Sequence, residues 1–149
     1  MNTQTGDLLA ITRGILCHQV NAVGATGGLA GALRRKHPGA FWPYLVACSH
    51  RQSPPLFGRT VIGDAGKGLC IAHVCGQMQP GPNTDLAAVD SALAHLATLI
   101  TQRPELRDLP IFVPHLMGCG LGGGRWDQYL PLLEKHLPSA IVIQLPEKA

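Results

Sequence analysis

Residues 18–38, HQVNAVGATGGLAGALRRKHP, run an apolar strand into a loop crowded with glycine and alanine, and then into a basic helix. No other stretch constrains the fold as tightly. In open α/β sheets, ligands bind beyond the carboxyl ends of strands, where loops lead into helices, and a strand ending in Asn21 before bare backbone fits that place. Glycine there lets peptide N–H groups come close to a ligand, and the usual ligand is a phosphate. A second stretch repeats the pattern: GCGLGGG, residues 118–124, follows the apolar run LPIFVPHLM and leads into RWDQYLPLLEKHL. Two such loops at one sheet edge are suited to hold a diphosphate through backbone N–H groups and helix N-terminal dipoles. Neither loop contains G-K-[ST], and the first is not a G-x-G-x-x-G, which disfavours a P-loop triphosphatase and a dinucleotide-binding Rossmann unit.

The other elements follow from periodicity. DLLAI, starting at Asp7, and ILCHQVNAV read as strands separated by a Thr-Arg-Gly turn. Leu29 to Lys36 reads as a helix stopped by Pro38 and Gly39. AFWPYLVACSHR places Phe41, Tyr44, Leu45 and Cys48 at helical spacing, with Pro43 in the first turn, and SPPLFG is a loop. RTVIGDAGKGLCIAHVCG reads as a hairpin turning at Gly66-Lys67-Gly68. Leu86, Val89, Leu93, Leu96 and Ile100 recur every three or four residues and predict an amphipathic helix from Leu86 to Thr101, capped by Asn83, Thr84 or Asp85. SAIVIQL closes the chain as an apolar strand. Strands apolar on both faces, alternating with helices, predict a layered α/β/α domain spanning residues 1–149.

Of the 149 residues, 46% are hydrophobic and 14% charged, an ordinary globular balance that suits one core. The net charge of +3 is a weak bias towards anionic ligands and falls short of a nucleic-acid-binding signature. The five cysteines form no C-x-x-C pair and are odd in number, which suits reduced, buried thiols better than a disulfide framework. No segment approaches the roughly 18 apolar residues of a membrane helix, and MNTQTGDLLAITRG lacks a signal-peptide layout. The expectation is a soluble cytoplasmic protein that does not engage a membrane.

GDLL at residues 6–9, HQVNAVGATGGLAGAL at 18–33, IAHVCGQ at 71–77, TD at 84–85 and PHLMGCGLGGGRW at 114–126 together resemble the macro domain, in its order and spacing. The likeness is nearest to small stand-alone macro domains of bacteria and phages, related to ADP-ribose-1''-phosphate phosphatases and terminal ADP-ribose glycohydrolases. It implies a three-layer α/β/α fold with a central mixed sheet and an ADP-ribose-like ligand. By resemblance, Asp7, beside Leu8, accepts a hydrogen bond from the adenine amino group, and Asn21 fixes the distal ribose. Gly27, Gly28 and Leu29 correspond to the first phosphate loop, with Gly24 and Thr26 also expected to bind the ligand; Gly118, Cys119, Gly120, Leu121 and Gly122 correspond to the second. The chemistry agrees, since a carboxylate only accepts and suits an amine, whereas a carboxamide both donates and accepts towards hydroxyls.

The chain departs from hydrolytic patterns of that family. It reads Leu29-Ala30-Gly31 where one branch carries an aspartate, has no lysine between Gly68 and Glu134, and has Gly122 after Leu121. His18 resembles the histidine of the phosphatase-like branch and is the candidate general base or acid. Asp85 either orients it, activates a water, or caps the long helix. His73 reads as structural, His115 lies close to the second loop, and Cys119 reads as packing. Trp126 and Tyr129 flank that loop, and RRKH at 34–37 reads as a solvated helix end that leaves room for a polyanionic carrier. No His/Cys/Asp cluster has metal-ligand spacing, so neither a metal nor another cofactor is expected. The expected function is binding of ADP-ribose or a derivative by a monomer, with hydrolysis of a group such as a 1''-phosphate at the distal ribose. The alternatives are a non-catalytic module for an NAD-derived nucleotide, or removal of ADP-ribose from an ADP-ribosylated protein or nucleic acid.

Overall fold

A computed structural model describes residues 1–49 and 55–147. The expected continuation of the second helix through His50 and Arg51, and the loop residues Ser53 and Pro54, lie outside the described residues. Six strands form one sheet: β1 (Asn2–Thr5), β2 (Gly14–Asn21), β3 (Thr60–Gly66), β4 (Leu69–Gln77), β5 (Ile111–Pro114) and β6 (Ile141–Gln144). The strand order is β1-β6-β5-β2-β4-β3, parallel throughout except for the antiparallel β3–β4 hairpin. The sheet is therefore mixed, as expected.

Among the described residues, five α-helices cover it: α1 (Gly28–Lys36), α2 (Trp42–Ser49), α3 (Leu86–Gln102), α4 (Pro104–Arg107) and α5 (Trp126–His136). Sheet side chains alternate between two cores. Leu16, Ile71 and Cys75 pack with Leu33, Phe41 and Tyr44 of the α1–α2 layer. Ile15, Cys17, Ala72 and Val74 pack with Val89, Leu93, Leu96, Tyr129 and Leu133 of the α3–α5 layer. That arrangement is why β2 and β4 are apolar in both phases of their alternation. All five thiols are free; Cys17, Cys70 and Cys75 are buried, and burial pushes the Cys70 thiol up to about 11.

The first strand differs from the expectation. Residues Leu8–Ala10 form a 3-10 turn, capped by the Asp7 carboxylate, which accepts from the Leu9 N–H at 2.9 Å. The strand lies earlier, at Asn2–Thr5, with every residue exposed and paired only with β6. An edge strand held by backbone hydrogen bonds needs no apolar pattern, so NTQT carries no signal. The apolar DLLA instead buries Leu8 from a turn. Asp85 is the residue that caps α3, accepting from the Ala88 N–H at 3.1 Å.

The parallel register of β2 on β4 sets His18 directly opposite His73. His73 Nε2 donates to the Ala40 carbonyl at 2.8 Å, so its Nδ1 accepts from His18 Nε2 at 2.7 Å. Both rings are buried and neutral, with Phe41 edge-on to His73 and Tyr44 stacked on it at 5.2 Å. Burial lowers both, His73 from 6.5 to about 4 and His18 well below its ordinary value. The unfolded chain takes up these protons below the ordinary imidazole value, whereas the folded chain refuses them until much lower pH. Stability therefore falls as the solution is acidified through that window, with His73 alone contributing roughly 3 kcal/mol and His18 acting in the same direction. Thermal unfolding from pH 7 to 4 is expected to show this slope, and the pair His18→Leu with His73→Met is expected to flatten it.

Candidate functional site

The carboxyl ends of β2, β4 and β5 lie side by side, and the two glycine loops rise from the same edge. Between them is a cleft of about 460 Å³. One wall is the start of α1. Its N-cap, Gly27, has no side chain to cap with, and Gly27, Gly28, Leu29 and Ala30 all line the cleft. The first-turn N–H groups of α1 and the positive end of its dipole thus face open space that an anion can fill. Gly28 has φ +52°, a left-handed conformation in which a side chain is strained.

The opposite wall is the second loop. Among the described residues, the backbone N–H groups of Gly120, Leu121 and Gly122 have no hydrogen-bond partner. Three successive free donors make a concave anion nest. The walls are close: a Cβ on Gly28 would stand 3.2 Å from Leu121 Cδ1. Leu121 is nonetheless 71% exposed, as an apolar rim over the cleft. Gly118 anchors the loop, with φ +72° and so little room that a Cβ would stand 2.5 Å from Tyr129 Cε2 and 2.6 Å from Gln19 Oε1.

Asn21 ends β2 and organises the first loop. Its Oδ1 accepts from the Val23 N–H at 3.1 Å and the Ala25 N–H at 3.2 Å, while its Nδ2 donates to the Ala25 carbonyl at 2.9 Å. Tyr44 OH donates to the Asn21 carbonyl at 2.7 Å and holds the strand end down. The amide's second hydrogen has no acceptor among the described residues, and Asn21 lines the cleft.

Of the residues expected from sequence, His18, Asn21, Gly27, Gly28, Leu29, Gly118, Gly120, Leu121 and Gly122 line the cleft. The others sit outside its lining. Leu8 is core, Asp7 caps its own turn, and Gly24 packs against Leu45 and Cys48. Thr26 Oγ1 accepts from Arg34, and Cys119 Sγ donates to the Met117 carbonyl at 3.3 Å with its thiol raised by burial. Asp85 is spent on the helix cap and makes no hydrogen bond to His18, so the two do not form an acid–base pair. His18 itself has Nε2 committed to His73, and its Nδ1 is a sealed lone pair without a partner.

Sequence reasoning missed Gln19, Gln77 and the cleft-lining roles of His115 and Leu116. Gln19 and Gln77 carry the same signal as Asn21, a carboxamide near the end of an otherwise apolar strand. His115 packs edge-on against Trp126 at 5.2 Å. Leu116 has φ +63°, a strained conformation for leucine, in a turn closed by the Met117 N–H on the Pro114 carbonyl at 3.1 Å. No Asp, Glu, Lys or Arg lines the cleft among the described residues, and none of their His, Cys, Asp and Glu side chains form a cluster able to hold a metal ion.

No family model and no curated protein sequence matches the chain. Solved structures do. A protein of unknown function from Bacteroides thetaiotaomicron superposes with a TM-score of 0.82 at 21% identity, over 97% of each chain. The macrodomain of Mycobacterium tuberculosis DarG matches with a TM-score of 0.75 at 25% identity, over 99% of this chain and 97% of that one. Thermosipho africanus DarTG, solved in complex with ADP-ribose, matches with a TM-score of 0.77 at 21% identity, over 99% of this chain and 43% of the other.

Two substitutions separate scaffold from cleft. Gly118→Ala is expected to cost at least about 2 kcal/mol in chemical denaturation, through strain and overlap with Tyr129 and Gln19. Asp85→Ala is expected to cost about 1 kcal/mol, the worth of a cap, while leaving ligand affinity unchanged in calorimetry.

Proposed function

The chain is a macro domain in its fold, and on that premise we propose that its cleft binds ADP-ribose or a close derivative. The observation that carries the reading is the facing pair of backbone donor sets, the uncapped start of α1 and the free N–H groups of Gly120 to Gly122. Backbone N–H groups stabilise a diphosphate by hydrogen bonds without a side-chain cation, which suits a cleft lined by amides and glycines. The complex of Thermosipho africanus DarTG with ADP-ribose supports the same ligand class. In this reading the diphosphate lies between the loops and the free N–H of Asn21 reaches a hydroxyl of the distal ribose. Binding is the first function, because the expected acid–base pair of His18 and Asp85 is not assembled.

A second reading is hydrolysis at the distal ribose, with ADP-ribose-1''-phosphate as the test substrate. It rests on one observation, the unpartnered Nδ1 of His18 three residues before Asn21, which burial and His73 keep unprotonated. A general base needs an unprotonated lone pair at the working pH, and this one, sealed in the structure, serves only once ligand binding uncovers it.

Phosphorus NMR tests both readings. Titration with ADP-ribose is expected to shift both diphosphate resonances, and no shift at millimolar ligand ends the binding reading. Growth of an inorganic phosphate signal from ADP-ribose-1''-phosphate, lost in His18→Gln at unchanged thermal stability, establishes hydrolysis. Charge at the nest gives an independent check, since a side chain at Gly120 meets nothing within 4 Å. Gly120→Glu is expected to weaken ADP-ribose binding and Gly120→Lys to strengthen it, each by roughly five- to tenfold at low salt.

A further inference from the structure

We propose that Gln19 and Thr84 are positioning residues that brace the second glycine loop and hold its nest in binding geometry. The inference rests on the reading of that nest as the diphosphate cradle. It starts from a polar side chain in an unusual place. Gln19 is on β2, facing the α3–α5 core, one residue after His18 and two before Asn21. Its side chain occupies a slot between two glycines: a Cβ on Gly76 would stand 2.7 Å from Gln19 Oε1, and one on Gly118 would stand 2.6 Å from it.

Every hydrogen-bonding group of that carboxamide is used. Nε2 donates to Gln77 Oε1 at 2.8 Å and to Thr84 Oγ1 at 2.7 Å, and Oε1 accepts from the Tyr129 hydroxyl at 2.9 Å. Thr84 carries the chain of bonds onward. Its hydroxyl donates to the Gly118 carbonyl at 2.8 Å, and its N–H donates to the Gly122 carbonyl at 3.0 Å. Gly124 N–H also donates to the Gly118 carbonyl, at 2.9 Å.

The geometry has a direction. Three carbonyl contacts pull the loop's acceptors inward, against Thr84 and the loop's own base. The N–H groups of Gly120, Leu121 and Gly122 are left free, and these residues line the cleft. The Gly118 and Gly122 carbonyls share their peptide planes with the Cys119 and Gly123 N–H groups, which donate to the Leu116 and Gly120 carbonyls, so the brace fixes both ends of the short segment that carries the free donors. Gln19 orients Thr84 by donating to its hydroxyl, which leaves the hydroxyl proton for Gly118 and no other arrangement. The bonds join β2, the start of α3, α5 and the loop, so the strand edge and the nest move as one body.

The test uses the full chain and two readouts. The first needs no ligand: amide hydrogen exchange at Thr84, Gly123 and Gly124, whose N–H groups are bonded within the braced loop. The second is the affinity for ADP-ribose against that for AMP, which lacks the diphosphate. Thr84→Val keeps the shape and removes the hydroxyl; Thr84→Ser keeps the hydroxyl; Gln19→Met keeps the length without the amide. Thr84→Val and Gln19→Met are each expected to speed exchange in the loop and to weaken ADP-ribose binding by about tenfold, with AMP changed less than twofold. Thr84→Ser is expected to behave as the unmodified chain, and the double variant Gln19→Met with Thr84→Val as either single variant, because the two act through one path.

Unchanged loop exchange in Thr84→Val and Gln19→Met overturns the proposal. So does an equal loss for ADP-ribose and AMP with faster exchange across β2 and β4, which would mark a general structural defect. If the unmodified chain binds no ADP-ribose, the ligand reading fails separately. The exchange of Thr84, Gly123 and Gly124, and the shifts of Gly120 to Gly122 with inorganic pyrophosphate as the probe, then decide the brace alone.

Discussion

The parallel ladder between β2 and β4 is the constraint on which the rest of this structure depends. It joins segments some fifty residues apart, and it is buried on both faces. The ladder's register places His18 against His73 and brings Gln19 within reach of Gln77. Its upper end delivers Asn21 to the first loop and Gly76 to the start of α3, where the Asp85 N–H donates to the Gly76 carbonyl at 2.8 Å. A shift of one residue would turn every one of these polar side chains to the wrong face. Apolar residues on both faces make that shift costly, and so the register is held by packing before any polar contact acts.

Polar groups placed inside such a ladder must satisfy one another, because an unpaired buried donor or acceptor costs more than a made bond returns. The molecule meets that demand, His18 Nδ1 excepted, in two chains of hydrogen bonds on opposite faces of β2. On the α1–α2 side the chain runs from His18 through His73 to the Ala40 carbonyl and fixes the turn before α2. On the α3–α5 side it runs from Tyr129 through Gln19 and Thr84 to Gly118. One chain sets tautomers and the other sets peptide orientation. The first chain starts three residues before Asn21 and the second ends on Gly118, so the cleft inherits its rigidity from buried strands although its walls are loops.

The glycine loops, the helices that follow them, the hairpin at Gly66-Lys67-Gly68 and the capped α3 were legible as sequence, since each rests on local chemistry. β1 was not, because an exposed edge strand of Asn, Thr and Gln has no periodicity to read. Asp7-Leu8-Leu9 gave the opposite error: three residues with strand-like composition form a capped turn. At the site, Asn21 was readable as a polar residue ending an apolar strand. Gln19 and Gln77 bore the same mark yet were passed over, because their partners lie some sixty residues away. Asp85 left three roles open, orienting His18, activating a water or capping α3, and the structure shows its carboxylate making the cap.

What the sequence determined by itself is the set of local propensities: which segments are apolar on both faces, where backbone is left bare, and which helices begin without a capping side chain. These follow from residue type and near neighbours. What only the tertiary structure decided is which bare segments meet and which donors stay free. The opening of the cleft, the tautomer of His18 and the three unpaired N–H groups of the second loop all depend on contacts between residues far apart in the chain. Hydrogen-bond satisfaction is a property of the whole packed molecule, and a free donor is identified only once every other acceptor has been placed.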